Sequence, residues 1–183
     1  MGGEARTQRH LYYNARSARA KVQNGGNELA PLGRPGPLQE GAQTVREGVK
    51  VPPACARSSQ FSVAASTATN EDCLYLNIFS AEPHDGAPKP VMIWIHPGEF
   101  NYGSASFVNP ARLSASGEVI VVSLQYRLGA LGFMYTGEED VTNLGLRDQL
   151  MAIDWISHNI LHFGGDPTRV TLFGSEVIFN YLS

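Results

Sequence analysis

Two short runs, Val91-Met92-Ile93-Trp94-Ile95 and Val119-Ile120-Val121-Val122-Ser123-Leu124, place apolar residues at nearly every consecutive position. A strand with one wet face alternates apolar and polar residues, so a continuous run predicts a strand covered on both faces. That requirement is met by a parallel sheet with helices packed on it. Pro90 and Pro97 bound the first run, and Leu74 to Phe79 alternates as a further strand. Leu146, Leu150, Ile153, Ile156 and Ile160 fall at helical spacing, with Arg147, Asp148 and Asp154 expected on other faces. Gly164-Gly165 ends that helix, and Asp166-Pro167 is read as a turn into a strand from Arg169 to Phe173. The order strand, loop, strand, helix, strand predicts an α/β fold.

The chain has 183 residues, 43% of them apolar and 17% charged, which suits one globular domain with a sizeable core. Its halves differ. Residues 1 to about 50 are rich in Gly, Pro, Arg and Gln, with breaker runs at Asn24-Gly25-Gly26-Asn27 and Pro31-Leu32-Gly33-Arg34-Pro35-Gly36-Pro37. Such a segment buries too little apolar surface to offset its ordering entropy, so residues 1–50 are expected to be mostly disordered and 51–183 to form the domain. Residues 1–57 carry a charge of +5 and the rest −8. The scattered arginines have only Tyr12 and Tyr13 as stacking partners, so a solvated tail is the reading, with no nucleic-acid role. No stretch reaches the ~20 apolar residues of a membrane span. Met1 to Ala20 lacks the apolar core of a signal peptide.

Several long motifs then occur in a telling order. Glu71-Asp72-Cys73-Leu74-Tyr75-Leu76-Asn77-Ile78, Gln125-Tyr126-Arg127-Leu128-Gly129 through Leu131-Gly132-Phe133, Asn143-Leu144-Gly145-Leu146-Arg147-Asp148-Gln149 and Phe163-Gly164-Gly165-Asp166-Pro167 resemble the type B carboxylesterase and cholinesterase-like family. The resemblance covers roughly residues 50–175 and implies the N-terminal portion of an α/β-hydrolase fold: a partial mixed or parallel sheet with flanking helices. It implies acyl transfer to a serine, with a histidine as base, an acid orienting it and backbone N–H groups holding the oxyanion. No cofactor or metal is implied, and a carboxylic ester is the substrate of a complete member.

Each catalytic part has a place to be tested. Family members read His-Gly-Gly-Gly-Phe or similar in the oxyanion loop; this chain reads His96-Pro97-Gly98-Glu99-Phe100. The N–H groups of Gly98 and Glu99 are the expected donors, but the Glu99 carboxylate adds negative charge where negative charge must develop. Losing one such donor typically costs about 10²–10³ in rate. A nucleophile elbow needs Gly-x-Ser-x-Gly so that the strand can turn sharply into a helix. The chain has Gly174-Ser175-Glu176-Val177-Ile178, with Glu176 at the family's serine position and bulky residues after it. The family's acid and histidine lie far downstream, and seven residues follow Glu176. No working catalytic set is therefore expected.

Of the five histidines, His96 belongs to the oxyanion loop and His10 and His84 are read as lying in loops. His158 and His162 are four apart on one helix, but they have no third ligand by motif and are read as surface or packing residues. Cys55 and Cys73 match the family's early disulfide, which implies a secreted protein, whereas the missing signal-peptide core argues against secretion. Arg127 and Asp148 resemble an internal structural ion pair of the family. The strand ending at Phe173 is expected to become an exposed, apolar sheet edge, which disfavours a stable monomer. The functional expectation is a truncated, inactive carboxylesterase-like protein; the alternative is a non-catalytic cholinesterase-like adhesion or binding module with a protein partner.

Overall fold

The computed structural model describes residues 8–14, 46–47, 53–57, 68–81, 86–135, 137 and 142–175. Its main sheet has six strands: β1 (Gln8–Asn14), β2 (Arg46–Glu47), β5 (Tyr75–Ala81), β6 (Lys89–Ile95), β7 (Ile120–Leu124) and β8 (Gly165–Gly174). They lie in the order β2-β1-β5-β7-β6-β8. Two short strands, β3 (Ala54–Cys55) and β4 (Thr69–Asn70), pair in parallel as a separate sheet. The helices are α1 (Ala111–Gly117), α2 (Gly129–Phe133) and α3 (Leu144–Asn159), the last running into a 3₁₀ turn at Ile160–Phe163. The predicted α/β architecture is present, as a mixed sheet. β7, β6 and β8 are parallel, whereas β5 runs antiparallel to both β1 and β7.

The continuous apolar runs behave as expected of covered strands. Val91, Ile93 and Ile95 of β6 point to one face beside Ile120, Val122 and Leu124 of β7, and all six are fully buried. Trp155, Ile156 and Ile160 of the α3 region close over that face, with Leu76 and Ile78 of β5 completing the cluster. The other face carries Phe79, Trp94 and Val121, and it also holds polar pairs. Asn77 Nδ2 donates to Ser123 Oγ at 2.9 Å, and Ser114 of α1 donates to the Phe79 and Val119 carbonyls at 3.0 and 2.8 Å. These bonds satisfy buried polar groups and fix α1 against β5 and β7.

Three expectations need correction: the buried face of α3, the turn at Asp166-Pro167 and the loop placing of His10. The buried stripe of α3 is only partly the apolar one read from spacing: Ile156 and Ile160 are fully buried, but Leu150 is 56% exposed, and Gly145, Asp148, Gln149, Ala152 and Asn159 are buried. Asp148 faces inward because Arg127 meets it there. Arg127 Nε and Nη2 donate to its two oxygens at 2.7 and 2.6 Å, and the Arg127 backbone N–H adds a third bond at 3.0 Å. A charge that is met this fully belongs in the core despite its hydropathy. Asp166-Pro167 is not a turn but part of β8, which pairs with β6 across a register irregularity between Lys89 and Val91. A proline fits there because it falls in the irregular stretch between the Lys89–Gly165 and Val91–Val170 pairs, where the ladder is interrupted. Within the first fifty residues, Gln8–Asn14 pairs along its whole length with β5, and β2 pairs with β1. His10 accordingly lies in a strand opposite Phe79 rather than in a loop. The remainder of that segment, including both breaker runs, and His84 lie outside the described residues.

The Arg127–Asp148 pair joins the segment after β7 to α3, with Asp148 only 4% exposed. Removing one partner leaves an uncompensated buried charge, so Asp148→Ala is expected to lose roughly 3–5 kcal/mol of unfolding free energy. Urea unfolding of the full chain measures it, and Arg127→Met combined with Asp148→Leu should recover most of the loss.

Candidate active site at the carboxyl end of the sheet

The chain leaves β6 to form β7 on one side and returns to place β8 on the other. The strand order therefore reverses at β6, and the crevice outside the carboxyl ends of such strands is where open α/β sheets bind ligands. Ile95 ends β6 opposite Gly174 of β8. The loop His96-Pro97-Gly98-Glu99-Phe100 and Ser175 thus leave adjacent strands at the same end of the sheet. Both sequence-predicted parts are brought to one rim. Glu176, Val177 and Ile178 lie outside the described residues.

The loop is shaped from both sides. Asn101 N–H and Tyr102 N–H both donate to the Gly98 carbonyl, at 2.8 and 3.1 Å. Gly98 has φ +128°, and a side chain there would collide with the Tyr102 carbonyl. Gly103, at φ +127°, lies so close to the His96 ring and the Pro97 carbonyl that any Cβ would overlap them. Only glycine can occupy either position. Between them the backbone stays left-handed through two non-glycine residues, Glu99 at φ 50° and Phe100 at φ 61°. Each costs roughly 1–2 kcal/mol in that region. Phe100 holds the turn down. Its carbonyl accepts from Gly129 N–H at 2.7 Å, and its ring packs 4.7 Å from Phe133 and edge-on to Tyr126.

His96 anchors the loop and is no candidate base. Its ring is fully buried and stacked on Tyr126 at 4.3 Å, and Tyr126 Oη donates to the His96 carbonyl at 2.9 Å. Nδ1 lies 3.0 Å from the Pro97 carbonyl, which can only accept, so Nδ1 carries the proton. Nε2 is left as a buried lone pair with no hydrogen-bond partner. Burial lowers its pKa from 6.5 to about 4, partly opposed by the bond to Pro97. Nearby, Gln125 Nε2 donates to Ser104 Oγ at 3.2 Å, holding the segment after the loop to the end of β7. The Tyr126 and Gln125 contacts were not foreseen from sequence, although both residues stand in the motif that carries the resemblance.

The result is a tight left-handed turn after β6 with an exposed carboxylate on its tip. Glu99 is exposed, and so is Ser175, which follows Gly174 directly. None of His96, His158 and His162 bonds to Ser175. His158 Nδ1 lies 2.8 Å from the Asp154 carbonyl, and Ser157 Oγ is 3.2 Å from the same nitrogen. The α-helix ends at Asn159, so His162 falls on the 3₁₀ turn, away from the helical register its spacing suggested. There His162 lines a notch of about 300 Å³ with Lys89, Pro88 and Leu161. Among the described residues no group of three or more His, Cys, Asp or Glu could hold a metal ion. Cys55 and Cys73 form a disulfide, each 1% exposed and part of the core. A loop of this length contributes about 3 kcal/mol.

Two outcomes follow from the loop. Glu99→Gly removes a left-handed side chain and should raise unfolding free energy by about 1 kcal/mol in thermal or urea melts. The unfolded chain protonates His96 near pH 6.5 and the folded chain only near 4. That stabilisation is complete above pH 6.5 and lost as pH falls to 4, by roughly 3 kcal/mol. His96→Gln should flatten the pH dependence of stability across that window.

Known proteins share these features. The family model for the carboxylesterase family matches residues 33–177. Human cocaine esterase is 44% identical over 144 residues, which cover 72% of this chain and 26% of that protein. Mouse neuroligin-2 is 37% identical over 169 residues, covering 72% of this chain and 20% of its own length. The solved structure of a thermophilic PNB esterase superposes with a TM-score of 0.62 at 44% identity, covering 67% of this chain and 27% of the other. The chain spans about a quarter of the length of these esterases. No helix among the described residues is long and apolar enough to cross a membrane. With its sheet order, its loop after β6 and a family model matched over most of its length, the chain belongs to the carboxylesterase family.

Proposed function

We propose that this chain supplies the N-terminal scaffold of a carboxylesterase α/β-hydrolase domain, including its oxyanion loop, and does not itself turn over esters. The observation that carries this reading is the loop. Its backbone is locked into the turn an oxyanion site needs, yet position 99 presents an exposed carboxylate there. Preorganised donors stabilise a developing oxyanion only where no like charge opposes them. Ser175 supports the reading from the other strand: it follows Gly174 with no residue between, and no described histidine bonds to it. A carboxylic ester is the substrate class of a complete domain. The Cys55–Cys73 disulfide favours an oxidising, extracellular compartment.

The likeness to neuroligin-2 favours a second reading, a non-catalytic binding module of the same scaffold. A cell-surface binding assay with the full chain separates the two. For the first reading, p-nitrophenyl acetate hydrolysis by the full chain should not exceed the background of free imidazole and should be unchanged by Ser175→Ala. Saturable turnover that disappears in Ser175→Ala would reject the assignment of an inactive scaffold.

A further inference from the structure

The ring of His96 is fully buried at the base of the loop after β6, and its surroundings suit only the neutral form. Nδ1 directs its proton to the Pro97 carbonyl at 3.0 Å. Nε2 is closed off on every side and has no hydrogen-bond partner. One face of the ring stacks on Tyr126 at 4.3 Å and 12°, and its Nδ1–Cε1 edge abuts Gly103. Because Nε2 has no exposed surface, further polypeptide packed on the outside of the domain cannot offer it a partner either.

Protonation at Nε2 puts a charge and a new N–H donor into that enclosure, with nothing to receive them. Among the described residues no charged side chain comes to its aid. The Tyr126 hydroxyl is given to the His96 carbonyl, Arg127 and Asp148 are bonded to each other, and Glu99 is exposed. Trp94, 6.4 Å away on the β6 side, carries no charge.

The loop can release that charge without disturbing the core. His96 continues the Trp94 side of β6, opposite Val91, Ile93 and Ile95 under α3. Three backbone bonds close the loop: Asn101 and Tyr102 donate to the Gly98 carbonyl, and Gly129 donates to the Phe100 carbonyl. Against them stand Glu99 and Phe100, both held left-handed, at φ 50° and 61°. Gly98 and Gly103 can take up a large backbone rotation at either end. We infer that the segment from His96 to Gly103 is an acid-sensitive latch: protonation frees the His96 ring from Tyr126, and the loop opens on its two glycines while the sheet and α3 stay folded.

The sign and size follow from linkage. An exposed ring binds a proton near pH 6.5, the enclosed ring only near 4. Opening is therefore favoured close to tenfold for each pH unit below 6.5, reaching about 10² at pH 4, and not at all above 6.5.

Amide hydrogen exchange of the full chain, read by NMR as protection factors from pH 7 to 4, tests the latch. The Asn101, Tyr102 and Gly129 amides should lose protection about 10²-fold, with little dependence on added urea, which marks a local opening. Amides of the β6–β7 ladder should stay far better protected at pH 4 and show the steep urea dependence of global unfolding. His96→Gln, or His96→Phe should that variant not fold, should keep the three loop amides at their neutral-pH protection. The urea dependence of the unaltered chain decides between local and global opening without any variant. Loop amides that exchange only with the ladder, at the same urea dependence, would overturn the inference. Loop protection that ignores pH, or that falls equally in the His96 variants, would do the same. No readout uses ester hydrolysis, so failure here leaves the functional assignment standing.

Discussion

The parallel pairing of β6 with both β7 and β8 is the constraint on which the described structure depends. It puts Val91, Ile93 and Ile95 in full burial and lets the α3 region close over them. It also sends the chain out of β6 at the one point where the strand order reverses. The loop after β6 lies where it does because the connection to β7 goes one way and β8 comes back on the other side. Arg127 and Asp148 secure that arrangement: one residue follows β7, the other lies on α3, and their bidentate pair ties the two ends of the β7–β8 connection together.

Much of this was legible in the sequence for a simple physical reason. A strand buried on both faces needs consecutive apolar residues, and Val91 to Ile95 and Val119 to Leu124 provide them. The disulfide between Cys55 and Cys73 and the placing of Gly98 and Glu99 after β6 came through motif resemblance rather than periodicity. What hydropathy spacing could not give was whatever depends on a partner distant in sequence; the Arg127–Asp148 pair, like the disulfide, came through the resemblance. Beside Leu144, Trp155 and Ile156, the buried face of α3 holds Asp148, Gln149 and Asn159, residues that a hydropathy pattern assigns to solvent. Asp148 is inside only because Arg127 reaches it, and no spacing rule connects residues so far apart. Leu150 shows the converse, an apolar residue at helical spacing that stays exposed. Gln8–Asn14 carries no sustained apolar alternation, and its strand exists through the backbone ladder with β5.

The candidate site separates two things that catalysis needs together. Backbone geometry is kept: glycine at 98 and 103, the His96–Tyr126 stack and the Phe100 anchor all act on the path of the chain. The side chains at the rim, the Glu99 carboxylate and the Ser175 hydroxyl, are exposed. The first set is enforced by steric overlap and buried contact area. The second is exposed and has few neighbours to constrain it.

That separation bears on how such a loop changes over time. Residue 99 has almost no influence on the turn it occupies, because its flanks dictate the backbone and its side chain points to water. A position of this kind is free to vary in charge and size at a cost of only local torsional strain, whereas its neighbours are not. The side chain at the tip can therefore change while the shape of the turn persists.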